Sequence, residues 1–246
     1  MSRSSFDEAM RSVDSVGGWM SPDQARRLYD AAVRTPANGQ IVEIGSFQGR
    51  STIILASAVG AGVSVIAIDP HAGNDRGPQE IDGYAEAASS DHEIFNQNLA
   101  AAGVSDIVRH VRAMSDAAHD QVEGNVDTLY IDGAHRYQPA LQDIRDWGSR
   151  VSDNGTMLIH DSFSSVGVTL AILRQLMWSR RYQYVGRSRS LTEYRVAPVA
   201  NRFSNAGRQL AQLPWFIQNL ALKVLLSLKL GGLIGRVTGR KPEWPY

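Results

Sequence analysis

The 246-residue sequence contains no cysteine. Disulfides, thiolate catalysis and zinc–thiolate sites are therefore excluded. Lys plus Arg and Asp plus Glu number 25 each, so the chain lacks the net positive charge typical of nucleic-acid-binding proteins, and we expect no nucleic-acid partner. The first residues, MSRSSFDEAMRSVD, lack the apolar stretch of a signal peptide, and we expect a cytoplasmic protein.

The balanced total hides an uneven distribution of charge. Residues 201–246 contain seven Lys or Arg and one Glu, whereas residues 1–200 contain 18 basic and 24 acidic residues. Internal repeats and long low-complexity segments are also missing from the sequence. We expect one domain over residues 1–200, with N-terminal helices in 1–35 and a core over 40–196, followed by a basic, apolar helical tail over 201–246.

Short apolar runs alternate with stretches of helical periodicity. Strands are predicted at 40–45, 63–70, 107–113, 126–132 and 155–161, helices at 18–32, 50–62, 91–103, 139–151 and 165–178, and a hairpin-like strand pair at 182–188 and 191–197. Strands separated by helices are typical of parallel βαβ units. The pattern predicts a doubly wound α/β fold with a mostly parallel seven-stranded sheet, a terminal antiparallel strand and a C-terminal helical tail.

Four of the predicted strands end in acidic residues, namely Glu43, Asp69, Asp132 and Asp161. In a parallel sheet the carboxyl ends of the strands share one edge, and ligands bind there. Each residue alone could cap a helix or begin a turn. Four acidic residues at one edge instead indicate a functional site.

The segment EIGSFQGRST, which begins at Glu43, combines a strand end, a glycine turn and a helix start. It lacks the spacing of the G-x-G-x-x-G dinucleotide fingerprint and of the phosphate-binding P-loop. An acidic residue such as Asp69, at the end of the next strand, can bind both hydroxyls of a ribose. The turn is therefore suited to a ligand that need not carry a phosphate.

On these residues the chain resembles the Rossmann-like S-adenosylmethionine-dependent methyltransferases over residues 40–196. The resemblance implies that Asp69 binds the ribose of S-adenosylmethionine. It also implies that Ser115 and Asp116 flank the adenine, with helix capping as the alternative role of Asp116. The methionine part of the cofactor would contact Glu43, Gly45, Ser46, Gln48 and Ser51.

Asp132 and Asp161 end neighbouring predicted strands, where two carboxylates repel unless they are protonated or bridged by a cation. Oxygen ligands suit Mg²⁺, and a metal-bound hydroxyl becomes more acidic. His135, three residues after Asp132, would then take the hydroxyl proton, because an imidazole pKa of about 6.5 suits a base near neutrality. The alternative is that His135 is only a turn residue.

This arrangement is similar to that of the divalent-metal-dependent O-methyltransferases. Catechol-type members have a lysine three residues after the aspartate, whereas members that methylate macrolide sugars have a histidine there, as this chain does at His135. The resemblance implies Mg²⁺ (or Mn²⁺) bound by Asp132 and Asp161. The third ligand would be Ser162, which replaces the asparagine of the catechol type, or His160, or water alone. His160 could instead be a packed or capping histidine.

The stretch HAGNDRGPQEIDGYAEAASS, residues 71–90, is long and polar for a connection in a compact domain. Loops of this length are usually functional or mobile. It would lie at the carboxyl edge of the sheet and could close over the acceptor. The alternative is a surface insertion.

The tail segment 214–230 is strongly apolar, with a narrow polar stripe of Asn219, Lys223 and Ser227. We expect it to pack on the domain or on a second copy of the chain as a homodimer. A peripheral membrane contact through residues 214–241 is the alternative, because this range ends in several basic residues.

The predicted activity is transfer of a methyl group from S-adenosylmethionine to a sugar hydroxyl, with Mg²⁺. The acceptor would be a small molecule or an oligosaccharide, such as a macrolide sugar or a mannoside of a methylated polysaccharide. The alternatives are a nicotinamide (NAD)-linked oxidoreductase and a non-catalytic scaffold protein that binds the cofactor.

Overall fold

The computed structural model describes residues 3–71 and 84–227. Within these residues the elements follow the predicted alternation. They are α1 (Phe6–Ser12), α2 (Pro22–Val33), β1 (Gln40–Ile44), α3 (Arg50–Ala58), β2 (Ser64–Ile68), α4 (Tyr84–Ala101), β3 (Val108–Val111), β4 (Val126–Ile131), α5 (Tyr137–Ser149), β5 (Val151–Ile159), α6 (Val166–Gln175), β6 (Tyr182–Ser188), β7 (Leu191–Val196), α7 (Arg202–Leu210) and α8 (Leu213–Ser227).

The strands form a seven-stranded sheet in the order β3-β2-β1-β4-β5-β7-β6. The pairs among β1 to β5 are parallel, and β7 runs antiparallel to both β5 and β6. The predicted doubly wound, mostly parallel sheet with an antiparallel strand near its end is confirmed. The two central strands, β1 and β4, are adjacent in the sheet although they are far apart in the chain.

The register of the sheet explains why the polar strand ends meet. Ile44 pairs with Ile68 on one side and with Ile131 on the other, and Ile131 pairs with Ile159. The residues that follow these four isoleucines therefore lie in one row across the carboxyl edge of the sheet. That row is formed by Gly45, Asp69, Asp132 and His160.

Helices cover both faces of the sheet. Because successive strand residues point to opposite faces, Leu129 packs with the cluster that contains Ile144 and Trp147 of α5, whereas Tyr130 packs with the cluster that contains Leu28 of α2 and helices α1, α3 and α4. Both clusters are fully buried at their centres. The edge residues are thus carried on a rigid, close-packed base.

Several element boundaries differ from the predictions, and three of the differences affect the sheet edge or its surroundings. Helix α4 begins at Tyr84, so the second part of the long polar connection 71–90 is helical. Residues 72–83, the first part of that connection, lie outside the described residues. Strand β5 begins at Val151, four residues earlier than predicted. Val151 pairs with Val126 of β4, the register then shifts over residues 152–155, and regular pairing resumes at Thr156. Asp161 lies beyond β5, in a turn with φ of +53°.

The described part of the tail contains two helices, and α8 packs on the domain through Leu213, Trp215 and Phe216 and through polar contacts. Asn219 donates to the carbonyl of Phe163 at 3.2 Å, and Lys223 donates to the carbonyl of Ser164 at 3.0 Å. Ile217 and Val224 are instead 64% and 51% exposed. The described part of the tail therefore packs on the domain, with part of its apolar face in solvent. The predicted basic end of the tail lies outside the described residues.

Candidate active site

The glycine turn after β1 requires its first glycine. Gly45 has φ of +87°, and a Cβ there would lie 2.2 Å from the carbonyl oxygen of Asp132. Any side chain would therefore separate the ends of β1 and β4. The close approach explains why glycine stands at this position and brings the turn against one of the predicted metal-binding aspartates.

Asp69 fastens this turn to the end of β2. One carboxylate oxygen accepts the backbone N–H groups of Ser46 and Phe47, both at 2.9 Å, and the other accepts that of His71 at 2.8 Å. The Asp69 side chain keeps 17% of its surface exposed. It is therefore both a structural acceptor for the turn and accessible to a ligand at the sheet edge.

Glu43 lies on the inner side of the turn and is fully buried. Its two oxygens accept the hydroxyls of Ser51 and Thr52 in the first turn of α3. Burial raises the pKa of Glu43 to about 8, against the opposing effect of these hydroxyl groups. The described contacts of Glu43 and Ser51 join β1 to α3, and their predicted contact with the cofactor stays a prediction.

Two further predicted cofactor residues differ in how they are held. Gln48 donates to the carboxylate of Asp91 at 2.9 Å, and its carbonyl accepts from Asn98 at 2.8 Å, which ties the turn to α4. The hydroxyl of Ser46 is buried and has no hydrogen-bond partner among the described residues. A buried unpaired hydroxyl is costly, so a bound ligand with a polar group is the partner that this position fits.

The loop after β3 contains the predicted adenine-flanking pair. The hydroxyl of Ser115 donates to Asp143 of α5 at 2.5 Å, and its carbonyl accepts from Trp147 at 3.1 Å. Asp116 is exposed in the same short 3-10 turn, and the residue at the cap position is Met114. Ser115 is thus fixed by α5, whereas Asp116 faces solvent. Their role at an adenine stays a prediction.

The structure brings Asp132, His135 and Asp161 together, with one candidate ligand atom of each within 4.8 Å of the others. Nε2 of His135 lies 2.8 Å from Oδ2 of Asp161. The other histidine, His160, approaches both carboxylates, with Nδ1 at 3.1 Å from Asp132 and 3.7 Å from Asp161. Tyr130 donates to the second oxygen of Asp132 at 2.7 Å.

These contacts shift the pKa values in opposite directions. Burial opposes ionisation of Asp161, but the neighbouring imidazoles of His160 and His135 hold its pKa well below the usual value. Burial also opposes the charged form of His135, yet the hydrogen bond to Asp161 and its charge raise the pKa of this imidazole above the usual value. The hydrogen bond between the two side chains therefore stabilises the charged form of each.

The position of His160 is set by Gln24, which sequence reasoning missed. The amide oxygen of Gln24 accepts the backbone N–H of Ser21 at 2.8 Å, so its Nε2 faces Nε2 of His160 at 3.2 Å. That ring nitrogen must then accept, which places the imidazole proton on Nδ1, toward Asp132. The sequence signal at Gln24 is a capping box with Ser21, which indicates a helix start and not a partner for His160.

Ser162, the predicted third ligand, is buried next to this cluster. Its hydroxyl donates to the carbonyl of Ile159 at 2.8 Å and contacts the hydroxyl of Thr192 at 2.7 Å. These contacts stabilise the tight turn that carries Asp161 and Phe163, both of which have positive φ. Ser162 as a metal ligand stays a prediction.

The comparisons with known proteins identify this fold and edge. Residues 42–162 match a family model described as a methyltransferase domain. This part of the chain is a methyltransferase domain. The matched range contains the glycine turn, Asp69, Asp132 and Asp161. The predicted Rossmann-like methyltransferase fold is confirmed, and the family match argues against the oxidoreductase alternative.

Solved structures share the fold of the methyltransferase domain. An O-methyltransferase from Bacillus cereus in complex with SAH (S-adenosylhomocysteine) has a TM-score of 0.53 and 16% identity, covering 78% of this chain and 90% of that chain. TomG from Streptomyces achromogenes is an O-methyltransferase involved in tomaymycin synthesis and was solved with SAM (S-adenosylmethionine). It has a TM-score of 0.52 and 18% identity, covering 78% of this chain and 89% of that chain. The O-methyltransferase NovP has a TM-score of 0.56 and 15% identity, covering 72% of this chain and 81% of that chain.

One curated relative is an uncharacterized protein of Sinorhizobium fredii, y4gI, which is 27% identical over 126 residues. The match takes in 50% of this chain and 13% of that protein. The chain therefore spans a small part of the relative's length.

Proposed function

We propose that the chain is an S-adenosylmethionine-dependent O-methyltransferase that acts on a sugar hydroxyl with the help of Mg²⁺ or Mn²⁺. The observation that carries the proposal is the juxtaposition, at one sheet edge, of the Asp69-anchored glycine turn with the Asp132–His135–Asp161 cluster. The solved relatives are O-methyltransferases, two of them bound to SAH or SAM, which supports the cofactor and the type of transfer.

The cofactor end of the edge fits a ligand with ribose hydroxyls and a polar amino-acid part. Asp69 offers a partly exposed carboxylate, and the unpaired Ser46 hydroxyl offers a second polar contact. S-adenosylmethionine, when bound, supplies an electrophilic methyl group. Gly45 allows the backbone of the turn to approach that ligand closely, because no side chain intervenes.

The acceptor end of the edge can bind a hydroxyl and remove its proton. Nε2 of His135 donates to Asp161 at 2.8 Å, which orients the ring and stabilises the charge that forms, so Nδ1 is the atom that would receive the proton of the acceptor hydroxyl. His160 and Tyr130 hold Asp132 from two sides, so its carboxylate faces a defined direction. The mechanism needs no thiol.

A divalent cation fits the donor set. Asp132 and Asp161 provide hard carboxylate oxygens, the ligands that Mg²⁺ and Mn²⁺ prefer, and each retains accepting capacity beyond its described contacts. A bound cation would supply a Lewis acid that makes the acceptor hydroxyl easier to deprotonate. Ser162 or water would complete the ligand set, because both ring nitrogens of His160, the other predicted candidate, already face Gln24 and Asp132.

A second candidate mechanism needs no metal. The 2.8 Å contact between His135 and Asp161, with His160 close to both aspartates, favours a histidine–aspartate pair as the base by itself. The two candidates differ in their response to chelation. Loss of turnover in EDTA with recovery in Mg²⁺ supports the metal-dependent mechanism. Full turnover after exhaustive chelation contradicts that mechanism and supports the histidine–aspartate pair as the base.

The test of the whole proposal begins with the cofactor. Calorimetric titration should show binding of S-adenosylmethionine and none of NAD. A radiolabelled-methyl screen over free and polymer-linked sugars, with and without Mg²⁺, then identifies the acceptor. Cofactor binding without transfer to any hydroxylated acceptor would instead favour the scaffold alternative, and transfer to an acceptor without a sugar would contradict the substrate class.

The exposed apolar face of α8 supports a contact beyond the domain. No helix within residues 3–71 and 84–227 is long and apolar enough to cross a bilayer. A homodimer is the contact that we propose for this face, with a peripheral membrane contact as the alternative.

A further inference from the structure

Three histidines form a second cluster beside the cofactor end of the edge. His71 follows β2, His92 lies on α4 and His110 lies on β3, and one ring nitrogen of each lies within 4.8 Å of the others. The geometry points to a transition-metal site at these three imidazoles, with Zn²⁺ as the ion that fits best. This site is separate from the aspartate cluster and shares no residue with it.

The spacing of the ring nitrogens agrees with tetrahedral coordination. Nδ1 of His71 lies 3.4 Å from Nδ1 of His92. Two nitrogens bound to one tetrahedral Zn²⁺ at about 2.0–2.1 Å are about 3.4 Å apart. The ring centroids lie 4.6, 5.1 and 5.6 Å apart, so the three rings form one compact group.

The nitrogen on the far side of the His110 ring already faces a protein acceptor. Nε2 of His110 lies 3.0 Å from the carbonyl of Asp69. Metal-bound histidines typically donate their other ring N–H to a carboxylate, a backbone carbonyl or water, which fixes the tautomer. Nε2 of His92 lies 3.2 Å from the side-chain amide of Asn96, which would accept this N–H through its oxygen if the amide is turned over. Nε2 of His71 is buried, lies 3.9 Å from the carboxylate of Asp69 and has no hydrogen-bond partner among the described residues.

The chemistry of the three ligands selects the ion. Neutral imidazoles bind Zn²⁺, Cu²⁺ and Ni²⁺ in preference to Mg²⁺, which selects oxygen ligands. Three histidines leave a fourth tetrahedral position for water or another group.

Occupation of this site would act on the cofactor end through Asp69. The metal would join β2, β3 and α4, and His71 donates its backbone N–H to the same carboxylate that holds the glycine turn. The role is structural or regulatory: the ion would fix the position of Asp69 without taking part in methyl transfer. This consequence rests on the proposed cofactor site, but the metal site itself does not.

Metal binding to the purified, chelator-stripped chain tests the site. The background is the Asp132→Asn/Asp161→Asn variant, which removes the acidic cluster as a competing site. Calorimetry with Zn²⁺ alone should show about one equivalent bound. His92→Gln in this background should weaken Zn²⁺ binding by about 100-fold or more, because loss of a ligand exceeds the 10–100-fold cost of losing an outer partner.

His119→Gln is the matched control, because His119 is half-buried, stacks on Trp147 and lies outside both clusters. It should keep the Zn²⁺ affinity of the background. If the background variant does not fold, Co²⁺ absorption of the wild-type chain and of His92→Gln gives the same comparison, with the tetrahedral visible bands present only in the wild type. Zn²⁺ binding that is absent from the folded background, or unchanged by His92→Gln, overturns the proposal.

Discussion

At the residue scale, the two edge aspartates have distinct partners. Asp132 is held by Tyr130 and His160, whereas Asp161 pairs with His135 and stands in a turn with φ of +53°. A non-glycine residue in this region stores strain, which persists when the surrounding contacts enforce it. Ser162 and Thr192 provide those contacts. The site is therefore positioned in advance of ligand binding.

Replacing His135 by Ala should lower the turnover number by roughly 10²–10⁴, the usual contribution of a positioned base. The base acts when deprotonated, and Asp161 raises its pKa despite burial, so the wild-type rate should rise with pH through an ionisation above the ordinary histidine value. The rising limb of the pH–rate profile should be absent from the variant. The measurement is the pH–rate profile of the folded wild type and of the folded variant.

Cofactor affinity provides the control, because it should change little in this variant. Near wild-type turnover in folded His135→Ala, or a limb that persists, would mean that the histidine only shapes the turn.

Replacing Asp69 by Ala should weaken S-adenosylmethionine binding. The variant should also lose about 1–3 kcal/mol of stability, because buried backbone donors of the glycine turn lose their acceptor. Asp69→Asn keeps one oxygen and should be less destabilised. Calorimetry and thermal unfolding of both variants separate the effects, and unchanged affinity in a folded Ala variant excludes Asp69 from the site.

At the element scale, α5 is connected to the loop after β3 by a buried carboxyl. Asp143 accepts the Ser115 hydroxyl, and burial raises its pKa from an ordinary 3.8 to about 6. A carboxyl with a raised pKa in the folded state binds more protons folded than unfolded. Its contribution to stability is therefore fully present below about pH 4, falls between about pH 4 and 6, and is absent above that range.

Asp143→Asn should remove this dependence, because the amide is neutral and still accepts from Ser115. The variant should be more stable than the wild type at pH 8, by at most about 3 kcal/mol, the value of a two-unit shift. Denaturant unfolding between pH 3 and 8 measures it. Asp146→Asn, one turn further along α5 and more exposed, is the control, and an unchanged pH slope in Asp143→Asn would contradict the prediction.

At the scale of the whole molecule, α8 presents apolar side chains to solvent. Its polar residues Asn219 and Lys223 cap the carbonyls of the turn that follows Asp161, so the apolar residues opposite them point outward. Exposed apolar patches of this kind mark interaction sites. The same helix therefore connects the acceptor end of the edge with a candidate interface.

Ile217→Lys/Val224→Lys should convert a dimer into a monomer, as measured by analytical ultracentrifugation. Val185→Lys, at an exposed apolar residue of β6, should leave the dimer intact. A wild-type chain that is monomeric and co-floats with anionic vesicles would instead support the membrane contact. A monomeric chain that does not bind vesicles contradicts both the homodimer and the membrane contact.

The order of strands and helices, and the row of polar strand ends, were determined by the sequence itself. Period-two and period-3.6 patterns are local, and parallel strands separated by helices place their carboxyl ends at one edge. Asp132 and His135 are three residues apart, so their proximity followed from the chain. Asp161 joined them because β4 and β5 are neighbours in such a sheet.

Only the tertiary structure decided the remaining contacts. Gln24 meets His160 across 136 positions of sequence, and the three clustered histidines come from three separate elements. Asn219 and Lys223 of α8 bind the carbonyls of Phe163 and Ser164, contacts that the apolar pattern of the tail did not predict. The physical reason is the same in each case: these contacts depend on side-chain directions and packing between distant segments, which leave no periodic signal in the sequence.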